Sequence, residues 1–409
     1  MVILGAGFAG LHAALELEAA CRRGLAVETI LVDQHNYHLF IPLLCQVATG
    51  MVEPGHITIP IRAFVHSRCC QFRESRVSSI DLEAKKLITD DGDLSYDYLV
   101  LAPGSTTNFY NQKDAEEHAL PLKTLRDGIA IHNRIIDAYE GAMLENDIQR
   151  RLEWLTFVVV GGGATGVELT ASLQDFVSHA LARDYPQIKP SEVRVVQIEA
   201  GGQFLSGLSP ALAKEAWHKL TSRGVEIRLD TAIRQVNAHQ VITSQGEVIP
   251  TRTTIWLAGV KPPALIEALP LAKAKDGRLV VSNYLEVSQY PEVYVVGDCA
   301  FFAAEGGGPL PPKGQVAVPE GRAAGRDIIR RLQGRPRQPF QFSPQIELVY
   351  LGRNAAVAQL WGQDFGGFPA SLLWRTIYLT KLAGFRNKLS VALDWSFTYF
   401  SHRSTARLE

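Results

Sequence analysis

A glycine-rich turn between a strand and a helix occurs twice in this chain, and this repeat constrains the fold more than any other feature. The first copy is VILGAGFAGLHAALELEAA, beginning at Val2, and the second is TFVVVGGGATGVELTASLQDF, beginning at Thr156. In each copy a short β-branched strand is followed by glycines and then by an apolar helix. Because this order is that of a βαβ unit that binds a dinucleotide, two copies predict two such units.

The first copy carries a complete glycine fingerprint. Gly5 allows a tight turn, Gly7 lets a pyrophosphate approach the backbone, and Gly10 brings helix and strand close together. The next strand, VETILVD, ends at Asp33, 23 residues after Gly10. Phosphates would lie at the helix N-terminus, where N–H groups favour anions, and Asp33 would accept hydrogen bonds from ribose hydroxyls.

The second copy repeats the three glycines at Gly161, Gly163 and Gly166. Its following strand, VRVVQIEA, delivers Glu199, which lies 33 residues beyond Gly166 because a longer loop intervenes. Two complete nucleotide-binding patterns in one chain predict two bound dinucleotides.

Between and after the two copies the pattern is mixed. Strands around VSSID and KKLITD predict one antiparallel meander, and VEIRLD, QVITSQGEVIP and TTIWLAGV predict a second. Residues 124–152 read as helical. The buried strand EVYVVGDCA ends in Gly297 and Asp298, a suitable place to hold a polar cofactor. Beyond about residue 340, strands near QIELVYLG and AAVAQLWG precede a helical tail.

Composition narrows the classes of protein. With 409 residues, 46% of them apolar and 20% charged, the chain reads as a globular protein of two or three domains. A formal net charge of −1 gives no general attraction for nucleic acid, which we do not expect as a partner. His35 and His38 lack a third ligand, so we expect them to pack and cap, and we predict no metal site.

The cysteines and the chain ends suggest a compartment. The five cysteines are scattered and odd in number, which favours reduced thiols in a cytoplasmic protein: Cys21, Cys45, Cys69, Cys70 and Cys299. The N-terminus enters a strand without a basic segment or cleavage site, so we expect no signal peptide. No apolar run reaches about 18 residues, which argues against a membrane-spanning helix.

The tail LTKLAGFRNKLSVALDWSFTYF, residues 379–400, is both apolar and basic. On a single helix its apolar residues would form one stripe: Leu382, Phe385, Leu389, Leu393, Phe397 and Phe400. The protein's own core, a second subunit or a lipid surface could cover this stripe. Residues 372–409 carry a net charge of +4, which leaves −5 for the remainder. Aromatic residues among these cations favour an anionic lipid interface: Trp374, Tyr378, Trp395 and Tyr399.

The ordered motifs GAGFAG, LVLAPGSTTNF, VVVGGGATGVE, TTIWLAGV and YVVGDCA resemble the two-dinucleotide-binding-domain flavoproteins over residues 1 to about 330. Within that family, NYHLFIPLLCQVATG, KGQVAVPEG and LAGFRNKLSVALDWSFTYF look like the membrane-associated type II NADH:quinone oxidoreductases. The resemblance implies an α/β fold of two Rossmann-like domains, similar to glutathione reductase, and a C-terminal membrane-associating α+β segment. It implies an FAD-binding domain over 1–115 and 275–335, an NADH-binding domain over 116–274, and a membrane-association or dimerisation segment over 336–409.

The resemblance also assigns residues to the two cofactors, FAD and NADH. The first domain would hold FAD through Gly5, Gly7, Gly10, Asp33, Gln34, Val77, Gly104, Gly297, Asp298 and Val316. The second domain would hold NADH through Gly161, Gly163, Gly166, Glu199 and Gly259. At Glu199 the extra phosphate of NADPH would meet a like charge, so we predict a preference for NADH.

Two side chains match residues to which the family gives a role in electron transfer from NADH through FAD to a membrane quinone. Gln315 matches the glutamine on the quinone side of the flavin, and Glu168 matches a carboxylate with a positioning or proton-transfer role. Pro319 and Glu320 stand where relatives often have two glutamines, and Cys45 where they often have tyrosine. These departures leave open the reduction of a naphthoquinone precursor in quinone biosynthesis, or a flavoprotein that mainly signals or binds a partner.

Two related enzymes fit the sequence less well. A disulfide reductase of this architecture needs a CxxxxC pair, and Cys45 stands alone. A sulfide:quinone reductase needs cysteines that flank the flavin, and none lies between Cys70 and Cys299. We therefore expect a non-pumping quinone reductase on the cytoplasmic face of the membrane, in peripheral contact with anionic lipid through residues 371–409. A homodimer is implied by the resemblance only.

Overall fold

The structure is a computed structural model that describes residues 1–65, 67–303, 308–343, 346–400 and 404–408, with the side chains of Tyr399 and Phe400 outside the description. The strands are β1 (Val2–Leu4), β2 (Thr29–Asp33), β3 (Tyr37–Leu39), β4 (Thr58–Pro60), β5 (Cys70–Glu74), β6 (Val77–Asp81), β7 (Lys86–Thr89), β8 (Leu94–Ser95), β9 (Leu99–Leu101), β10 (Thr106–Thr107), β11 (Thr156–Val160), β12 (Arg194–Ile198), β13 (Glu226–Arg228), β14 (Ile233–Val236), β15 (Gln240–Thr243), β16 (Val248–Pro250), β17 (Thr253–Trp256), β18 (Val260–Lys261), β19 (Leu279–Val280), β20 (Glu286–Val287), β21 (Tyr290–Val295), β22 (Ala300–Phe301), β23 (Ile346–Tyr350), β24 (Ala356–Leu360) and β25 (Gln363–Gly366). The helices are α1 (Phe8–Arg22), α2 (Leu44–Val47), α3 (Lys113–His118), α4 (Leu125–Leu144), α5 (Ile148–Trp154), α6 (Ala164–Asp175), α7 (Ala182–Asp184), α8 (Pro210–Thr221), α9 (Ala264–Glu267), α10 (Gly314–Leu332), α11 (Gly367–Lys381) and α12 (Phe385–Phe400).

The first compact unit comprises residues 1–39, 59–106 and 260–343. Its central sheet has the order β20–β21–β9–β1–β2–β5, in which β1 pairs in parallel with β2 and β9. Every residue of β1 and β9 is buried, as expected for parallel strands that are covered on both faces. Helix α10 packs on α1 so closely that a Cβ on Gly321 would overlap the Ala9 carbonyl.

The second compact unit comprises residues 40–58, 107–259 and 344–409. Its parallel sheet has the order β13–β12–β11–β17, and antiparallel sheets are formed by β14–β15–β16 and β23–β24–β25. The α/β fold class is confirmed, as is the second βαβ unit. The domain boundaries drawn from the motifs stay predictions.

Two local predictions need correction. VEIRLD and TTIWLAGV were assigned to a meander, but β13 and β17 pair in parallel with β12 and β11. Short apolar strands look alike in both kinds of sheet, so pattern alone did not separate them. The helical stretch 124–152 is broken before Asp147, whose carboxylate accepts the N–H groups of Gln149 and Arg150 and caps α5.

Cys21 and Cys69 form a disulfide, so the prediction that all five cysteines are reduced is wrong for this pair. Cys21 is in the last turn of α1, and Cys69 immediately precedes β5 at the edge of the same sheet. Packing of α1 on this sheet brings the two Cα atoms to 5.9 Å, which suits a disulfide. Cys45, Cys70 and Cys299 stay outside disulfides and are buried.

The tail consists of two helices, so the prediction of a single apolar stripe is wrong. Helix α11 ends at Lys381, and Gly384, with a φ of +79°, lies in the break before α12 begins. Leu382 lies in this break and is fully buried. The side chains on the outer face of α12 are between 46% and 82% exposed: Phe385, Leu389, Leu393 and Phe397. The last member of the predicted stripe, Phe400, has its side chain outside the described part.

Trp374 and Trp395 point into the protein, so the prediction that they lie at a lipid interface is wrong. Both side chains are buried, and their ring centroids lie 5.7 Å apart. Each indole N–H meets a buried acceptor, which is Glu168 for Trp374 and Gln46 for Trp395. A buried indole needs such a partner, and composition cannot show which residues supply it.

The last described residues, 404–408, pack on helix α4. The amide of Asn133 donates to the Leu408 carbonyl at 2.7 Å and accepts from the Leu408 N–H at 2.8 Å. Arg407 forms an ion pair with Asp137 at 2.7 Å, so this basic residue of the tail already has an acidic partner. Two charges in the tail's balance, Arg403 and Glu409, lie outside the described residues. None of the helices within the described ranges has both the length and the apolar content needed to cross a bilayer.

Candidate functional site

The first glycine turn has the geometry that a bound pyrophosphate requires. Gly5 has a φ of +97°, and a Cβ there would overlap the Ala102 carbonyl. A Cβ on Gly10 would overlap the Gly5 carbonyl, so the helix can approach the strand only without one. At Gly7, by contrast, no described heavy atom lies within 4 Å of an added Cβ. The middle glycine therefore faces open space at the start of α1.

Asp33 closes this turn from the end of β2. Its Oδ2 accepts the Ala6 N–H at 2.7 Å, and its Oδ1 accepts the His35 N–H at 2.9 Å. Burial raises the pKa of Asp33, while these backbone hydrogen bonds lower it. Gln34 follows as an exposed residue. His38 lies below the turn, with Nδ1 2.9 Å from the Ala6 carbonyl, a packing role as expected from the sequence.

Three more residues predicted to hold FAD follow the carboxyl ends of β9 and β21: Gly104, Gly297 and Asp298. Gly104 and Gly297 have φ values of +73° and +74°. The Gly297 N–H donates to Glu320 Oε2 at 2.6 Å, and the Ser105 hydroxyl donates to Asp298 Oδ2 at 2.5 Å. Gly297 and Asp298 are therefore each fixed by a hydrogen bond to a protein side chain.

The other residues of this unit that were predicted to contact FAD or the quinone lie at the start of α10 and in a separate antiparallel sheet. Gln315 and Val316 are in the first turn of α10, with Gln315 partly exposed and Val316 buried. Val77 begins β6 in the antiparallel sheet β6–β7–β8. Glu320, noticed in the sequence only as a departure from the family pattern, is buried. Burial raises the pKa of Glu320 to about 8, against a lowering effect of the Gly297 N–H.

The second glycine turn repeats the first. Gly161 has a φ of +120°, a Cβ on Gly166 would overlap the Gly161 carbonyl, and Gly163 faces open space. Neither α6 nor α1 begins with a side-chain cap among the described residues, so backbone N–H groups at both helix starts are available to an anion.

Glu199 takes the place in this turn that Asp33 takes in the first. Its Oε2 accepts the Gly162 N–H at 2.6 Å, and its Oε1 accepts the Gly201 N–H at 2.8 Å. The longer stretch between Gly166 and Glu199 contains a π-helix at Phe176–Leu181 and the loop that follows it. Gly259 lies beside Tyr110, whose hydroxyl a Cβ at Gly259 would overlap.

Glu168 is a buried carboxylate in the first turns of α6. Its Oε1 accepts the Tyr350 N–H at 2.9 Å and the Trp374 indole N–H at 3.2 Å. Burial raises the pKa of Glu168 to about 7, while these two hydrogen bonds lower it. The side chain can therefore hold or release a proton near neutral pH. The sequence indicated Glu168 but gave no signal for its two partners.

Cys45 and Gln46, in segment 40–58 of the same unit, each hydrogen-bond to another segment of this unit. The Cys45 thiol donates to the Thr165 carbonyl at 3.6 Å, and burial raises its pKa well above the ordinary value. A thiol of this kind is a packing group rather than a nucleophile. Gln46 accepts the Trp395 indole N–H at 2.7 Å. Among the described residues, no group of three or more His, Cys, Asp or Glu side chains is arranged to hold a metal ion.

Both turns fit a dinucleotide. The space in front of Gly7 and Gly163 accepts a pyrophosphate, the uncapped helix starts supply N–H donors, and Asp33 and Glu199 supply acceptors for ribose hydroxyls. FAD and NADH each contain these groups. The residues present therefore fit the two cofactors that the sequence predicted.

Comparison with known proteins places this architecture in a family. Residues 1–321 match the model of the pyridine nucleotide-disulphide oxidoreductases, and residues 347–404 match the NDH2 C-terminal domain. A type II NADH:quinone oxidoreductase of Mycobacterium tuberculosis is 32% identical over 98% of this chain and 88% of its own length. A probable NADH dehydrogenase of Dictyostelium discoideum is 30% identical over 97% of this chain and 89% of its own length.

A solved structure shares the whole fold. NDH2 from Plasmodium falciparum, in complex with NADH, superposes with a TM-score of 0.89 over 99% of both chains, at 20% identity. Together with the two family models and the two relatives, this confirms the resemblance seen in the motifs. The chain belongs to the pyridine nucleotide-disulphide oxidoreductase family and, within it, to the type II NADH:quinone oxidoreductases.

Proposed function

We propose that this chain is an NADH:quinone oxidoreductase that passes an electron pair from NADH through FAD to a membrane quinone, without pumping protons. The observation that carries the proposal is the pair of matching glycine turns, residues 5–10 and 161–166, which we call the two cradles. The same chain also buries the Glu168 carboxylate. The chemistry that bound FAD supplies is acceptance of two electrons from NADH and their release to the quinone.

The first unit binds FAD and fixes its orientation. The open space at Gly7 takes the pyrophosphate, Asp33 holds the adenosine ribose, and Asp298 holds the ribityl chain. Asp33 and Asp298 are both constrained by hydrogen bonds to the protein, which keeps them in place for the ligand. Orientation is the main contribution that a protein makes to this transfer, since it needs close and aligned rings.

The second unit binds NADH and discriminates against NADPH. Gly163 leaves room for the pyrophosphate, and Glu199 accepts hydrogen bonds from the ribose. The additional phosphate of NADPH would lie against the Glu199 carboxylate and lose those hydrogen bonds.

Gln315 of the first unit and Glu168 of the second unit are each assigned a role of their own in quinone reduction. A quinone gains two protons with its two electrons, so its site needs a proton donor and hydrogen-bond partners for the carbonyl oxygens. With a pKa of about 7, raised by burial, Glu168 is partly protonated at neutral pH and can pass on a proton. Gln315 supplies an amide for a quinone carbonyl.

The outer face of α12 attaches the protein to the membrane. Phe385, Leu389, Leu393 and Phe397 are spaced by four residues, and they are exposed together on one face. Lys381 and Arg386 are exposed near the start of this helix. An apolar face beside cations fits anionic lipid on the cytoplasmic leaflet. A homodimer remains an expectation from the family resemblance.

Membrane attachment is tested with serine at the four exposed positions of α12. Deletion of residues 371–409 would also remove the buried Trp374 and Trp395, so surface substitution is the cleaner change. The variant should lose binding to vesicles of anionic lipid while it retains flavin. Unchanged binding would exclude α12 as the attachment surface, and serine at exposed Leu144 and Ile148 of the same unit is the matched control.

The activity is tested by steady-state turnover with NADH or NADPH as donor and analogues of ubiquinone, menaquinone and plastoquinone as acceptors. Rapid oxidation of NADH with a short-chain quinone is the expected result. Turnover confined to a naphthoquinone precursor would support the biosynthetic role instead. Slow turnover with every acceptor would support a signalling or partner-binding protein.

The role of Gln315 is tested by Gln315→Leu. Loss of the amide should impair quinone reduction more than reduction of the flavin by NADH, because only the acceptor half uses it. Stopped-flow measurement of the two half-reactions separates them. Equal losses in both would count against an acceptor-side role.

A further inference from the structure

The buried carboxylate Glu168 is held by donors from a different part of the sequence. Glu168 falls within the residues matched by the oxidoreductase model, 1–321, whereas Tyr350 and Trp374 fall within the C-terminal match, 347–404. Both donors bind the same oxygen, Oε1, at 2.9 Å for the Tyr350 N–H and 3.2 Å for the Trp374 indole. The C-terminal segment therefore contacts the carboxylate directly.

The position of the Trp374 indole is fixed by its neighbours. Trp374 is 1% exposed, and its ring stacks on Tyr378 at 4.2 Å between centroids with an interplanar angle of 19°. Tyr350 packs at 5.1 Å and Trp395 at 5.7 Å from the same ring. A side chain with contacts on several sides cannot rotate to another rotamer without opening a cavity. Its N–H therefore stays directed into this cluster, where it donates to Glu168 and also lies within hydrogen-bonding reach of the Tyr378 hydroxyl.

We propose that Trp374 is a positioning residue for the reaction: its indole N–H orients the Glu168 carboxylate and stabilises its ionised form, which couples helix α11 of the C-terminal segment to proton transfer. The consequence for catalysis rests on the proposed function. The contact itself does not, because it can be measured without quinone.

Charge burial explains why the indole matters. An ionised carboxylate loses its water when buried, and hydrogen-bond donors replace part of that solvation. Burial raises the pKa of Glu168, and the Tyr350 and Trp374 hydrogen bonds lower it, in that order of size. Tyr350 donates through its backbone, which substitution cannot remove. Trp374 is the donor that a mutation can delete.

Two other titratable groups near Glu168, a thiol and a phenol, stay neutral near pH 7. Burial raises the pKa of the Cys45 thiol on α2 and of the Tyr378 hydroxyl on α11 well above their ordinary values. The Glu168 charge raises both further, and Glu347 of β23 adds to the effect on Tyr378. Titration between about pH 5 and pH 9 in this cluster therefore reports on Glu168.

The substitution Trp374→Phe keeps a ring in the cluster and deletes the N–H. Without this donor the ionised form loses one of two stabilising hydrogen bonds, so the pKa of Glu168 should rise by about 1 pH unit. The midpoint of the pH profile for quinone reduction should move up by the same amount, whichever form of Glu168 is active. Trp395→Phe is the matched control, because that indole belongs to the same cluster and donates to Gln46.

The decisive measurement is an infrared titration of the Glu168 carboxyl in the flavin-loaded protein, assigned by its loss in Glu168→Gln. A shift to higher pH in Trp374→Phe, with little change in Trp395→Phe, supports the proposal. No shift in a folded, flavin-binding Trp374→Phe, or equal shifts in both variants, overturns it. Absence of quinone reductase activity together with the expected shift would instead contradict the proposed function alone.

A second measurement needs no tryptophan substitution. In the protein labelled with ¹⁵N in its six tryptophans, one indole N–H resonance should titrate with the midpoint of Glu168 and stop titrating in Glu168→Gln. If no indole follows that midpoint, Trp374 does not sense the carboxylate and the proposal is wrong. This keeps the test available if Trp374→Phe does not fold.

Discussion

The two glycine turns of this chain have almost the same backbone geometry. In the first, Asp33 accepts the Ala6 N–H at 2.7 Å, and in the second, Glu199 accepts the Gly162 N–H at 2.6 Å. Each acid also accepts the N–H two residues further along the chain. The features that both turns share are those that we propose to hold a dinucleotide.

The turns differ in the helix that follows. Two residues after the third glycine, the first copy has His12 and the second has Glu168. His12 makes a hydrogen bond of 2.8 Å within its own helix, to the Phe8 carbonyl. Glu168 instead reaches Tyr350 and Trp374. The same supersecondary unit thus carries at this position once a residue that bonds within its own helix and once a buried carboxylate, for which we propose a role in proton transfer.

The largest expected effect is the loss of one cofactor when a side chain is placed in one of the two glycine turns. Gly7→Val and Gly163→Val place a side chain in open space, at backbone angles that valine adopts, so the fold should survive. Gly7→Val should be purified without flavin. Gly163→Val should retain flavin and lose NADH affinity by about 100-fold, close to 3 kcal/mol. Flavin absorbance and NADH titration measure both effects.

A matched control for these variants is Gly55→Val, where the added side chain also meets open space outside both cradles. It should keep flavin and NADH affinity. If Gly163→Val lost flavin and Gly7→Val kept it, the assignment of the two cradles would be reversed.

The next effect concerns the position at which the two helices differ. Glu168→Gln should slow quinone reduction by roughly 100-fold, the usual contribution of a general acid or base, and should abolish the ionisation near pH 7. His12→Gln, at the equivalent place in the first copy, should leave the rate nearly unchanged. Similar pH–rate profiles for the two variants would remove the proposed distinction.

A smaller effect is expected at the acid of the second turn. Glu199→Gln should narrow the preference for NADH over NADPH about tenfold, since the repulsion of the extra phosphate is removed. The ratio of kcat/KM for the two donors measures this change. An unchanged ratio would discard the assignment of Glu199 to the ribose.

The smallest effect concerns the second buried carboxylate, Glu320. Burial raises the pKa of Glu320 from 4.5 to about 8 in the folded protein. Its contribution to stability is therefore fully present below about pH 4.5 and is lost as the pH rises through about 8. The glutamine in Glu320→Gln does not titrate. The melting temperature of this variant, relative to that of the wild type, should therefore increase as the pH rises from 5 to 8. A difference in melting temperature that does not vary with pH would contradict this.

Local features were predictable from the sequence because they depend on neighbours in the chain. The roles of Gly5, Gly7 and Gly10 in shaping the turn follow from spacing alone, and the backbone has the corresponding angles and close approaches. The acids Asp33 and Glu199 follow in the same way from the ends of their strands. Their roles in binding cofactors stay predictions.

Contacts between distant segments were not predictable. Nothing in the tail's pattern distinguishes an outward Phe385 from an inward Trp395, because both lie on a helix rich in aromatic residues. The Cys21–Cys69 disulfide depends on how a helix packs against a sheet edge, and spacing does not carry that information. The link from Trp374 to Glu168 has the same cause.

Sequential anaerobic mixing tests the central claim most directly, that the protein carries FAD, which takes an electron pair from NADH and gives it to a quinone. NADH should abolish the visible flavin absorption of the purified protein in one rapid phase, and a short-chain quinone added next should restore it. Protein that binds no flavin, or flavin absorption that NADH leaves unchanged, would contradict the account.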